Sequence, residues 1–277
     1  MTARTIDTGT DHLLARVESR VATLTMNRPE RRNAFSNAML AGLARALEDA
    51  ESASDVGCVV LTGASGAFSA GGDVKGMDER NSGGGGEAAG IDARIHAQRL
   101  SQRATAGRIY TMPKPVIAAL PGAAAGAGFA LAMACDLRIA SANAVLLTAF
   151  ARVGFSGDYG GTFFATQVVG AARARELYYL CDRVSAQEAL RIGLVNRVVP
   201  AAELEKATHE LALRIANGPT VAYRYLKENL NRAASGADVF DCLDLEATHH
   251  VHTGLTEDHR EAARAFVEKR EPTFQGR

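Results

Sequence analysis

The sequence contains no tryptophan, so no indole is available to assist chemistry on an aryl group. Cysteine is scarce and scattered. Cys58, Cys135, Cys181 and Cys242 form no CxxC pair, which points to reduced thiols in a cytoplasmic protein rather than a disulfide frame or a thiolate metal site. Charge of either sign is not in excess: 31 Lys and Arg balance 31 Asp and Glu. That balance argues against an extended nucleic-acid or membrane-surface face. No apolar run reaches membrane-spanning length. The opening MTARTIDTGTDHLLARVESR carries acidic residues and no apolar export region.

What is present is apolar bulk. Of 277 residues, 47% are hydrophobic, enough for a sizeable core. The length suits one α/β layer structure with an appendage.

Two stretches share one design. Val116 to Leu120 is a β-branched apolar run bounded by Pro115 and Pro121, so it reads as a buried strand. Tiny residues follow from Ala123 to Gly128, and a core helix is expected from about Gly126 to Cys135. Earlier, the strand Val56–Thr62 runs into Gly63-Ala-Ser-Gly-Ala-Phe-Ser-Ala-Gly-Gly-Asp73. A helix start leaves backbone N–H groups without intrahelical partners, and small residues admit a ligand to the main chain. Two such loops aimed at one oxygen would form an oxyanion hole. Tight packing and phosphate cradling are the competing readings of the same residues.

Along the chain, Leu13–Val17 and Val21–Met26 read as an antiparallel hairpin. Ser36 caps a helix to about Ala50, with Met39, Leu43 and Leu47 on one face. Residues 78–92 include the glycine run 82–86, read as a flexible loop. A helix is expected from Ile91 to about Ile109, stopped by Pro113. Ala144–Leu147 is a strand, and helices 160–169 and 171–180 flank Gly170. Ser185-Ala-Gln-Glu188 is a capping box whose helix Gly193 closes. Leu194–Val199 is a strand ended by Pro200. Beyond it only helices are expected, at 202–216, 220–234, 239–253 and 256–270. The boundary therefore falls near Pro200, between a mixed core (1–200) and a helical region (201–277).

FSAGGDVKGM at 68–77, PKPVIAALPGAAAGAGFALAMACDLRIAS at 113–141 and AFVEKREP at 265–272 resemble the crotonase superfamily, the enoyl-CoA hydratase/isomerase family. RNAFS at 32–36, GGT at 160–162 and SAQEALRIGLVNRVVP at 185–200 fit it too. The resemblance runs from about Leu13 to Pro272 in the family's motif order. It implies an α/β spiral of ββα units, with C-terminal helices that build a homotrimer or homohexamer. It implies an acyl-CoA thioester as substrate, with CoA as part of that substrate and no prosthetic group. By motif position the N–H groups of Ala70 and Ala127 hold the thioester oxygen. The family usually has glycine where Ala127 stands. CoA contacts are implied at Arg31, Ala34, Ala70, Asp73, Val74 and Lys269. The arginines at 28, 31 and 32 alternatively form a solvated surface, Asp73 alternatively braces its loop, and Lys269 alternatively is an exposed helix end. The glycine run 82–86 is either a lid over the acyl group or a surface insertion.

An oxyanion hole moves no proton, so an acid or base is needed. Family hydratases use two glutamates, which would fall at positions 130 and 150. This chain has Ala130 and Phe150, neither able to transfer a proton. Asp158 stands where dienoyl-CoA isomerases, ring-epoxide isomerases and a chlorobenzoyl-CoA dehalogenase place a catalytic aspartate. By its position alone, Asp158 reads first as a helix cap; the two missing glutamates and the family match favour catalysis instead. A helix start favours its charge and the aromatic residues Phe150 and Phe155 oppose it; the sequence leaves that balance open. Asp136 reads as structural. His249, His250 and His252 lack a carboxylate at zinc spacing, so no metal site is expected. The reading is an isomerase that shifts a double bond with Asp158 as acid and base. Hydration of a 2-enoyl-CoA, dehalogenation and a non-catalytic CoA-thioester scaffold are the alternatives, dehalogenation weakened by the missing tryptophan.

Overall fold

Strands paired on both edges and covered on both faces must be apolar on both sides, and the central strands here are. In this computed structural model, residues 3–73, 76 and 90–277 are described; Val74 and the glycine run 82–86 lie outside them. The main sheet has seven strands among the described residues. They are β1 (Arg4–Thr5), β2 (Leu13–Glu18), β3 (Val21–Met26), β4 (Cys58–Gly63), β5 (Val116–Leu120), β7 (Leu137–Ser141) and β10 (Arg197–Val199), adjacent in that order. The β1–β2 and β2–β3 pairs are antiparallel, and all later pairs are parallel.

Each central strand feeds two cores because side chains alternate. Val59, Leu61, Val116, Ala118 and Leu120 join the larger cluster, with Met39, Leu43 and Leu47 of α1 (Asn37–Ser52). Cys58, Val60, Ile117, Ala119 and Ile139 face the other way. There Leu204, Ala212 and Ala216 of a C-terminal helix (Leu204–Ala216) cover them.

A second, three-stranded sheet joins β6 (Ala124–Ala125), β8 (Val145–Leu147) and β9 (Val184–Ser185). Among the described residues, the further α-helices between strands are α2 (Ile91–Gln102), α3 (Arg108–Thr111), α4 (Ala127–Ala134), α5 (Gly161–Leu180) and α6 (Ala186–Arg191). Every residue of α4 is buried. Gly170 leaves the helical conformation inside α5. The C-terminal helices are α7 (Leu204–Ala216), α8 (Thr220–Ala234), α9 (Val239–Thr253) and α10 (Glu257–Glu268). Buried Lys227 on α8 donates to Asp136 at 2.9 Å and to the Ile109 carbonyl at 2.8 Å, so α8 is tied to the core. Leu226, Leu230, Phe240, Leu243, Val251 and Phe266 remain exposed on α8–α10.

Besides the two-residue strands β1, β6 and β9, three elements differ from the sequence expectations. Leu137–Ser141 is a strand absent from the sequence expectations, because only Cys135 and Asp136 separate it from α4. The strand expected from Leu194 starts only at Arg197. Leu194 and Val195 instead pack into the core as α6 turns back. The helix expected at 91–109 contains a π-turn at Arg103–Gly107.

Candidate active site

The loop after β4 is held from three sides. Ser69 pairs with Ala124 of β6, and the Ala125 N–H donates to the Ser69 carbonyl at 2.9 Å. The Ser69 hydroxyl donates to the Asn33 carbonyl at 2.7 Å and accepts from the Gly71 N–H at 3.0 Å. Buried Asn33 donates to the carbonyls of Ala64 and Ala67 and accepts from the Arg28 N–H. The two small-residue loops are thus bonded into one unit. Gly71 has a φ of +80°, and a side chain there would come within 2.5 Å of the Ala125 carbonyl and 2.8 Å of the Ala127 nitrogen. Only glycine lets the loops approach this closely.

The N–H groups then sort into engaged and free. Ala70 donates to the Arg32 carbonyl at 2.9 Å. This corrects the expectation that Ala70 offers its N–H to a thioester: a spent donor has nothing left to give. The Phe35 N–H takes the Gly71 carbonyl at 2.7 Å, which turns the next peptide. The Gly72 N–H has no acceptor among the described residues. The Ala127 N–H, at the first position of α4, has none either. Gly72 was missed because small residues in a loop all look alike as donors. The signal lies in the β-bridge from Phe35 to Gly72, which no spacing rule reveals.

Asp158 precedes α5. Its backbone carbonyl accepts from the Gly161 N–H at 3.0 Å. The capping position is Gly160, with no side-chain cap bond, so the carboxylate does not cap the helix. Its Oδ1 is buried and has no hydrogen-bond partner. Burial pushes this carboxyl up to about 6, so desolvation outweighs any stabilisation from the helix start. Phe150 is buried, whereas Phe155 is 55% exposed, which makes Phe150 the aromatic wall.

Tyr178 on α5 lies between these groups. Its ring stacks on Phe150, with centroids 6.0 Å apart and planes at 6°, and meets Phe129 edge-on at 6.5 Å. A methyl on Gly161 would collide with both the Tyr178 hydroxyl and the Ala130 methyl. The Tyr178 hydroxyl is buried without a partner. Burial and the nearby Asp158 carboxylate raise its pKa above the ordinary phenol value. The sequence reading did not single out Tyr178, because α5 brings it to the site from twenty residues beyond Asp158.

The residues expected around CoA are placed as follows. Asp73 accepts from Arg28 at 3.3 Å and from the Gly76 N–H at 3.1 Å. The Gly76 bond and the Arg28 guanidinium hold its carboxyl below the usual range. Asp73 thus braces the loop. Ala34 is buried and its carbonyl accepts from Arg28 at 2.8 Å. Arg31 is partly buried in the short turn Pro29–Arg31. Val74 lies outside the described residues. Lys269 is exposed at the left-handed end of α10.

Other polar groups are structural. Asp136 accepts from the Val116 N–H at 2.7 Å as well as from Lys227. His249 bonds Asn229 at 2.6 Å and packs on Tyr225. No group of His, Cys, Asp and Glu among the described residues could hold a metal ion. No helix among them is long and apolar enough to cross a membrane.

Two joined loops with free N–H groups describe an enzyme site for a carbonyl that becomes an oxyanion. The enoyl-CoA hydratase/isomerase family profile matches residues 16–277, and the chain belongs to that family, the crotonase superfamily. It is 37% identical over 96% of its length to a 1,2-epoxyphenylacetyl-CoA isomerase of Escherichia coli, covering 99% of that protein. It is 34% identical over 94% of its length to a short-chain-enoyl-CoA hydratase of Clostridium acetobutylicum, covering 96% of it. The crystal structure of an enoyl-CoA hydratase from Bacillus anthracis superposes with a TM-score of 0.87 at 33% identity, covering 96% of this chain and all of that one.

Proposed function

We propose that this protein is an acyl-CoA isomerase in which Asp158 moves a proton along the acyl group. The observation that carries the reading is the half-buried Asp158 carboxylate, whose buried Oδ1 has no partner and whose pKa is pushed up to about 6. A base poised near neutral pH both takes and returns a proton. The N–H groups of Gly72 and Ala127 hold the thioester oxygen and stabilise the enolate. Asp158 removes a proton from a carbon acidified by the thioester. The dienolate forms, and the same carboxyl returns the proton further along the chain. One carboxylate suffices for that shuttle. Ala130 and Phe150 supply no second one for activating water.

Around CoA, Arg31 and Ala34 border the nucleotide, with Asp73 holding their loop in place through Arg28. Lys269 of a neighbouring copy approaches a CoA phosphate. The helical region after residue 200 supplies the contacts of a homotrimer or homohexamer, a role that the exposed apolar residues on α8–α10 support.

The test is a panel of 2- and 3-enoyl-CoA thioesters, read by product mass and double-bond position. Unchanged mass with a moved double bond is the expected result. A gain of water identifies a hydratase, the activity in the name of the Clostridium relative. Binding without any product identifies a scaffold.

A further inference from the structure

Tyr178 is the buried donor that the isomerase mechanism leaves unused. Its hydroxyl is shielded from solvent and bonded to nothing. Leaving such a group unsatisfied costs about 1–3 kcal/mol, so it needs a reason. Its surroundings offer no acceptor. The ring lies on Phe150 and Phe129, and the hydroxyl crowds the same point as the Ala130 methyl and Gly161. The Asp158 carboxylate is near enough to act on it electrostatically, yet its Oδ1 is partnerless as well. The two groups are therefore neighbours that do not bond each other. The phenol stays protonated through the neutral range, since burial and the carboxylate both raise its pKa. Held protonated, it is a donor waiting for an acceptor.

We infer that Tyr178 is a specificity-determining residue of this site, whose hydroxyl donates to an oxygen carried on the acyl group of the substrate. The class selected is acyl-CoA with an ether, epoxide or carbonyl oxygen close to the thioester, in preference to a pure hydrocarbon chain. The helix α4 fixes the location. Phe129 and Ala130, which border Tyr178, are two and three residues beyond Ala127, whose free N–H points at the thioester oxygen in the proposed complex. The recognised oxygen thus sits within the first few carbons of the acyl chain. The inference rests on the proposed placement of the thioester, but not on Asp158 being the base.

The experiment is calorimetric binding of three unreactive thioesters of equal shape to wild type and Tyr178→Phe. Pentanoyl-CoA is compared with ethoxyacetyl-CoA and 3-methoxypropanoyl-CoA, in which an ether oxygen replaces one CH2. For at least one ether, the preference over pentanoyl-CoA should fall by about fivefold or more in the variant, the size of one neutral hydrogen bond. Pentanoyl-CoA itself should bind within about threefold of wild type. Ether preferences unchanged within twofold for both probes would overturn the inference. Thermal melting of the free proteins adds a second reading. Removing a partnerless hydroxyl should leave the melting temperature unchanged or raised, whereas a clear fall would show a structural partner and defeat the assignment. Because binding needs no turnover, loss of the Asp158 mechanism in the thioester panel leaves this test standing, and the reverse also holds.

Discussion

Phe150 and Tyr178 lie ring on ring, 6.0 Å apart and only 6° from parallel. This stack occupies the region where a hydratase of this family would need its carboxylates. Ala130 completes the wall from α4, against Gly161 and the Tyr178 hydroxyl. The missing glutamates are therefore not a gap open to refilling. Their space is packed.

A first prediction follows from that packing. Ala130→Glu should destabilise the protein by about 1–3 kcal/mol, the usual range for overpacking a core, and burial of its charge adds to the loss. It should add no water to an enoyl-CoA. Chemical denaturation and product mass check both parts. A stable variant with hydratase activity would show that the wall yields more easily than its contacts imply.

The Asp158→Asn variant should lose at least a hundredfold in kcat, the lower range for a general base, while CoA-thioester affinity holds within a few-fold. In wild type, kcat/KM should rise with pH through about 6 and level off above it, because the free carboxylate is the active form. Activity of the variant within a few-fold of wild type would falsify the catalytic assignment.

The same carboxyl predicts a stability effect of definite sign. Its ordinary value of 3.8 rises to about 6 in the fold. Between those values the native protein holds a proton that the unfolded chain has released. Stability from this group is therefore present below about pH 4 and lost as pH rises through 6. Asp158→Asn removes that loss. It should be more stable than wild type at pH 8, by less than about 3 kcal/mol given partial contact with solvent. The gain should vanish near pH 4. Melting curves at both pH values decide it.

Ala127 is the first residue of α4, where proline fits a helix and its missing N–H breaks no helical bond. Ala127→Pro should therefore cost far more catalysis than stability. A loss of about a hundredfold to a thousandfold in kcat is expected for one oxyanion donor. A rate near that of wild type would remove Ala127 from the hole.

The exposed Leu226, Leu230, Phe240, Leu243 and Val251 predict association through the helices after residue 200. Light scattering at micromolar concentration should give three or six copies. Leu230→Glu should lower that number. A monomeric wild type would reject the oligomer proposal.

Several strands, two helix caps and the family were legible in the residues themselves. Ser36 and Ser185 cap helices as read, accepting from the N–H groups of Met39 and Glu188. The hairpin of β2 and β3 and the buried strand β5 also stand as read. These features depend on periodicity and local hydrogen bonding, which neighbouring residues dictate. What only the tertiary structure decided is which groups are free. The Ala70 N–H is spent on Arg32 because the 28–35 segment folds over the loop, and Gly72 takes its place in the proposed hole. Asp158 is not a cap because Gly160 occupies that position. Tyr178 joins the site because α5 returns its ring to Phe150. Whether a polar atom has a partner depends on residues far away in sequence, so long-range packing, and no local pattern, determines which donors and which carboxylate remain for a substrate.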